Sequence, residues 1–96
     1  HLSGEISLDL AARQAGMSVS AFSRLFKRAA GIRFSDFVRR LRIGHACRLL
    51  TTTNQSVASI RRACGYGNAS NFNRLVFEET GETPTGWRKK YIGRTR

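Results

Sequence analysis

Ninety-six residues make one domain or two very small ones, and a hydrophobic share of 41% supports a modest core in a folded chain. Seventeen Lys and Arg against six Asp and Glu leave a net charge of +11, an excess that anticipates a polyanionic partner, phosphate backbones first and acidic membranes second. No apolar run approaches the roughly 18 residues of a membrane span, and no signal-peptide layout opens the chain.

The charge is spread evenly. Residues 1–50 hold nine basic and three acidic residues, a net of +6, and residues 51–96 hold eight and three, a net of +5. Basic residues interleave with Leu, Ile, Phe and Ala throughout, which argues for a folded basic domain and against a disordered tail.

In chain order, Ser7 is an N-cap for a short helix over about residues 8–15, stopped by Gly16. Ser18 caps a second helix that runs to Ala30, with Gly31 in the left-handed stop position. Ser35 opens a third segment from Asp36 to about Thr52, with Phe37, Val38, Leu41, Leu49 and Leu50 available for a buried stripe. Gly44 within it costs on the order of 1 kcal/mol relative to Ala. After the polar connector Thr51 to Gln55, Ser56 caps a helix over about 57–64, and Gly65 to Asn68 form a turn. A helix over about 69–79 ends at Gly81, and Thr83-Pro84 starts a last short helix that ends near Tyr91. No segment alternates as a strand does, so the expected fold is all-α.

The chain repeats itself. Phe22-Ser23-Arg24-Leu25 returns fifty positions later as Phe72-Asn73-Arg74-Leu75, Gly31 as Gly81, Phe37 as Trp87, and Arg39-Arg40 as Lys89-Lys90. Ala15-Gly16-Met17-Ser18 corresponds to Cys64-Gly65-Tyr66-Gly67 at an offset of forty-nine, so one residue has been added to the second copy.

A short helix, a glycine turn and a longer amphipathic helix describe a helix-turn-helix. In the first copy Ala11, Ala12, Ala15, Met17, Phe22 and Leu25 meet its apolar requirements, and the small alanines let the two helices cross closely. Phe22, Leu25, Phe26 and Ala29 make the apolar stripe of the second helix, while Ser20, Ser23, Arg24 and Lys27 share another face. Two hydroxyls, a guanidinium and an ammonium suit the floor of a B-DNA major groove, roughly 12 Å wide, where Arg forks to guanine O6 and N7. An ordinary solvated helix face explains that helix alone equally well. The second copy favours the groove, because Phe72, Leu75 and Val76 repeat the stripe and Ser70, Asn71, Asn73 and Arg74 repeat the polar face. A connecting helix about 25 Å long at 1.5 Å per residue fits two reading helices in successive major-groove segments, roughly 34 Å apart.

These residues resemble the DNA-binding domain of the AraC/XylS bacterial transcription regulators. Residues Ala15 to Lys27 look like the family's first helix-turn-helix, and Arg40-Leu41-Arg42-Ile43 with Ala46, Leu49 and Leu50 look like its linker helix. The stretch Cys64 to Arg74, followed by Gly81, Thr83-Pro84 and Trp87-Arg88, is similar to the signature of its second unit. The likeness covers about residues 5–91.

The resemblance implies two helix-turn-helix subdomains, residues 1–34 and 54–96, joined by a linker helix at 35–53. It implies about seven helices, with the first truncated where the chain starts at His1. Base-reading positions map onto Val19, Ser20, Ser23 and Arg24, and onto Ala69, Ser70, Asn71, Asn73 and Arg74. Phosphate contacts map onto Ser18, Lys27, Arg28, Arg39, Arg40, Asn68 and Arg88. The expected partners are double-stranded promoter DNA, RNA polymerase, and an N-terminal effector or dimerisation domain that precedes this chain, with no membrane and no cofactor. The expected role is sequence-specific regulation of transcription, as an activator, in the cytoplasm at the nucleoid. An alternative is a small basic RNA-binding or ribonucleoprotein component, which explains the charge but not the duplication. Another is a module that contacts acidic protein partners.

Three positions depart from the family. Arg61 stands where a small residue packs at the helix crossing, so either its stem snorkels outward or the crossing is looser. Phe77 takes the place of Lys27 in the repeat; it could touch a thymine methyl, but packing on a slightly rotated helix is the favoured expectation. Ala11 replaces a larger aliphatic, with Leu10 beside it to compensate.

Arg39, Arg40, Arg42, Arg88, Lys89 and Lys90 are phosphate contacts or solvated faces. Trp87 and Tyr91 read as core anchors rather than base stackers. Cys47 and Cys64 are too few for a disulfide framework or a zinc site and read as buried free thiols in a reducing cytoplasm. His1 and His45 lack partners at metal-ligand spacing, and His45 reads as a helix-surface or partly buried residue. No nucleophile–base pair, acidic pair or phosphate-cradling loop is present, so the expectation is no enzyme.

Overall fold

Five helices start at a side-chain cap. The Ser7, Ser18 and Ser56 hydroxyls accept from the backbone N–H groups of Leu10, Ala21 and Ser59 at 3.1, 3.1 and 3.0 Å. Asn68 Oδ1 accepts from Asn71 N at 2.8 Å, and Thr83 Oγ1 accepts from Gly86 N at 3.0 Å. Each side-chain oxygen satisfies one of the N–H groups that a helix start leaves without a partner. The computed structural model describes residues 7–92, which form α1 (Leu8–Gln14), α2 (Val19–Ala30), α3 (Phe34–Thr52), α4 (Val57–Ala63), α5 (Ala69–Thr80) and α6 (Pro84–Ile92), with no strand among them. Six helices lie among the described residues, and the truncated first helix expected from His1 lies outside them. Gly31 and Gly81 end α2 and α5 with φ of 81° and 78°, a left-handed stop that a side chain would strain.

Helix α3 starts before Ser35, which lies within the first turn rather than capping it. Asp36 organises that turn, accepting from Arg33 Nε at 3.3 Å and Arg39 Nη2 at 2.8 Å, a negative charge at the favourable end of the helix dipole. The hydrogen bond from Arg33, helped by the positive charges of Arg33 and Arg39, holds the Asp36 carboxyl below its ordinary range. Phe34 joins the helix with its ring edge-on to Phe22 and Phe26, at 5.7 and 5.2 Å.

The chain divides into two compact units, one running to Leu41 and the other starting at Arg42, so the boundary falls inside α3. In the first unit α1 packs on α2, and among the described residues only Ala12 and Val38 are buried. Its interior is a cluster of rings, Phe22, Phe26, Phe34 and Phe37, with neighbouring centroids 5.2–6.3 Å apart. The stripe expected on α2 is therefore only half realised. Phe22 and Phe26 lean into the cluster and are half-buried, whereas Leu25 is 45% exposed and Ala29 is exposed. Leu10 is exposed as well, so it does not make up for the small Ala11.

The second unit is packed more tightly. Ile43, Ala46, Cys47 and Leu50 of α3 meet Ile60 and Cys64 and then Phe72, Leu75 and Val76 of α5 in one continuous core. Leu49, Val57, Tyr66 and Trp87 pack around it. The indole of Trp87 anchors α6 by donating to the Cys47 carbonyl at 3.2 Å, and its ring lies 4.3 Å from that of Tyr91. Both cysteines are free and buried; burial pushes the Cys47 thiol up to about 11 and raises Cys64 as well.

Helix α3 does not carry the single buried stripe expected of it. Phe34, Phe37, Val38 and Leu41 form one i, i+3, i+4, i+7 row, and Ile43, Ala46, Cys47 and Leu50 form another. A step of two residues from Leu41 to Ile43 puts the rows out of phase. Phe37 and Leu41, each 36% exposed, do not belong to the row that the second core buries.

Candidate nucleic-acid interface

In the first unit most of the residues expected to read bases are exposed. Ser20, Arg24 and Lys27 are exposed on α2, Ser23 is half-buried beside them, Val19 is 39% exposed, and Arg28 extends the positive charge toward the helix end. Arg24 makes no hydrogen bond or ion pair among the described residues, so its guanidinium fork is available. Ser18 uses its oxygen as the cap of α2, which leaves the hydroxyl proton free to donate outward. Arg39 and Arg40 are exposed on α3, with Arg39 tied to Asp36.

In the second unit Asn68, Ala69, Ser70, Asn73 and Arg74 are exposed along α5 and Asn71 is half-buried. Asn68 caps α5 through its oxygen, and its amide N–H groups remain as donors. Arg74 differs from Arg24 in being held. Its Nη2 donates to Asn71 Oδ1 at 2.6 Å and its Nη1 to Glu78 Oε2 at 2.8 Å. The spacing of i−3 and i+4 permits this pairing, yet the sequence reading missed it by treating Asn71 and Arg74 as independent.

The two helices carry opposite charge. Helix α2 holds Arg24, Lys27 and Arg28 with no acid, a net of +3, whereas α5 holds Arg74 against Glu78 and Glu79, a net of −1. At the fifty-residue offset Lys27 becomes Phe77 and Arg28 becomes Glu78. Phe77 is 56% exposed while Val76 is fully buried, which overturns the expectation that Phe77 packs in the core. Three apolar residues, Phe72, Leu75 and Val76, already fill the row of α5 that faces inward, and Phe77 falls outside it.

Arg88 does not point outward. Its Nε donates to the Leu50 carbonyl at 2.8 Å, and its Nη2 to those of Thr53 and Gln55 at 3.2 and 2.6 Å. These are carbonyls at and just beyond the end of α3, left without helical partners and collected by one guanidinium. The expectation of a phosphate contact at Arg88 is therefore replaced by a structural role. Arg61 is settled in the same way, since its Nη1 donates to the Tyr66 carbonyl at 2.8 Å and braces the turn between α4 and α5. His45 is half-buried. Among the described residues no helix is long and apolar enough to cross a membrane.

A family profile described as a helix-turn-helix domain matches residues 11–90. The chain is 32% identical over 80 residues to the HTH-type transcriptional activator RhaR of Mannheimia succiniciproducens, covering 83% of this chain but 29% of that protein. It thus spans less than a third of that curated relative's length. Among solved structures, an AraC-type DNA-binding-domain regulator from Chromobacterium violaceum is 30% identical, with a TM-score of 0.83 over 90% of this chain and 77% of that one. The DNA-binding domain of AdpA, solved in complex with a target DNA, is 26% identical, with a TM-score of 0.86 over 98% and 85% of the two chains. With the fold, the repeated capped helices and these likenesses agreeing, the chain belongs to the AraC-type helix-turn-helix family of transcription-regulator DNA-binding domains, which bind DNA and are not enzymes.

Proposed function

We propose that the chain is the DNA-reading part of a longer bacterial transcription regulator and that α2 and α5 each enter a major-groove segment of duplex promoter DNA. The observation that carries this reading is the polar face of α2, where Ser20, Ser23 and Arg24 follow the Ser18 cap and return at a fixed offset of fifty as Ser70, Asn73 and Arg74 after the Asn68 cap of α5. Val19, Ser20, Ser23 and Arg24 read bases from α2, and Ala69, Ser70, Asn71, Asn73 and Arg74 do so from α5. Short side chains let each helix approach the groove floor, Arg forks to guanine, and Asn pairs with adenine. Ser18, Lys27, Arg28, Arg39, Arg40 and Asn68 hold phosphates, the contacts that position a reader without informing it of sequence. Arg88 is left out because its carbonyl contacts occupy it.

Because RhaR is named as an activator and is much longer than this chain, we place an effector or dimerisation domain N-terminal to these residues. Contact with RNA polymerase and residence at the nucleoid in the cytoplasm follow from an activator's role. Filter binding tests the reading. Affinity for duplex DNA should fall steeply with salt, with a log–log slope of about −0.9 per phosphate neutralised. Arg24→Ala should cost about 1–3 kcal/mol on a preferred site and relax the preference at one base position. A flat salt response, or a preference for structured RNA over every duplex offered, would contradict it.

A further inference from the structure

The second reading helix carries a carboxylate where the first carries a guanidinium. Glu78 stands at the repeat position of Arg28, and together with Asn71 it grips both terminal nitrogens of Arg74. The ion pair is open to solvent at both ends, with Arg74 59% and Glu78 58% exposed, so it adds little to folding stability. Its consequence lies instead in what Arg74 can bind. An unrestrained arginine on a helix surface takes any phosphate, and that contact is blind to sequence. A phosphate that approaches Arg74 in this chain meets the Glu78 carboxylate beside it. A guanine edge is neutral, offers two acceptors, and escapes most of that repulsion. Arg74 still has three of its five N–H groups unused by these two partners, enough for a two-pronged contact with a base.

We propose that Glu78 is a specificity-determining positioning residue, which penalises phosphate contacts by Arg74 more than base contacts and so makes α5 a selective reader with little affinity of its own. The inference rests on the DNA-reading function proposed above. It follows the logic by which specificity is raised by disfavouring the wrong contact as well as favouring the right one.

The experiment starts from a randomised duplex pool. The 96-residue chain selects its preferred site, and binding is then measured on that duplex and on a scrambled one across a salt series. The wild-type chain, Glu78→Gln, Arg74→Ala and the double variant are compared. Glu78→Gln is expected to bind the scrambled duplex about 3–10-fold more tightly near 0.1 M salt, with its slope steeper by about 0.9, the increment of one added phosphate contact. Affinity for the selected duplex should change by less than about threefold, so the ratio of specific to non-specific binding falls. In the Arg74→Ala background the same change should lose this added slope. Glu78→Gln that leaves both slopes and the ratio unchanged, or that keeps its effect without Arg74, overturns the role given to Glu78 while the reading function stands. A wild-type chain that enriches no sequence overturns the reading function itself, and the inference with it.

Discussion

The two units follow one sequence pattern but are held together differently. Among the described residues up to Leu41, four phenylalanine rings cluster, Ala12 and Val38 are buried, and none of the residues of α2 is. From Arg42 onward nine buried side chains pack continuously, and α6 is fastened by the Trp87 indole and the Arg88 guanidinium. Leu25 and Leu75 occupy the same place in the repeat, yet one is 45% exposed and the other 6%. Charge divides the units as well, since the loosely packed one carries the strongly basic α2 and the tightly packed one carries the acidic end of α5. The two copies share helix caps and glycine stops but differ in packing and charge. Positive helix charge and tight packing thus lie largely in different halves of the chain.

The largest test of that contrast is a pair of truncations at equivalent positions. Phe72 is fully buried, so Phe72→Ala should cost about 3–5 kcal/mol. Phe22 is only half-buried and should cost about half as much, because part of its ring is already in water. Urea denaturation followed by circular dichroism and by the fluorescence of Trp87, the single tryptophan, measures both. In Phe22→Ala, loss of helix should precede the change at Trp87; equal costs with coincident transitions would erase the distinction between the units. A smaller effect is expected at Arg88. Arg88→Ala removes the donor to three carbonyls and should destabilise the second unit by about 2–3 kcal/mol, read by Trp87 fluorescence. Arg88→Lys should recover only part of this, since a compact ammonium cannot match the guanidinium's fork.

Much of this was legible in the sequence because a cap is a local device. Ser7, Ser18, Ser56, Asn68 and Thr83 each act on an N–H three residues away, and so the turns and the polar faces of α2 and α5 could be placed from residue spacing. Ser35 misled because Phe34 is drawn into α3 by rings on α2, a tertiary contact that spacing does not record. The α3 stripe misled because a helix shared by two units obeys two registers in turn. Arg88 looked like a surface cation because its carbonyl partners lie 33 to 38 residues earlier. The Arg74 clamp was visible in principle from Asn71 and Glu78 at i−3 and i+4, and the internal repeat flags it, since Glu78 breaks a position that is basic in the first copy.

Two copies of one DNA-reading unit in a single chain should both engage the same duplex. Hydroxyl-radical and base-methylation footprints of the chain on its selected duplex test this most directly. Two protected major-groove segments about one helical turn, roughly 10 base pairs, apart are expected, with Arg24→Ala erasing base protection in one and Arg74→Ala in the other. A single protected segment, lost or kept as a whole in both variants, would contradict it.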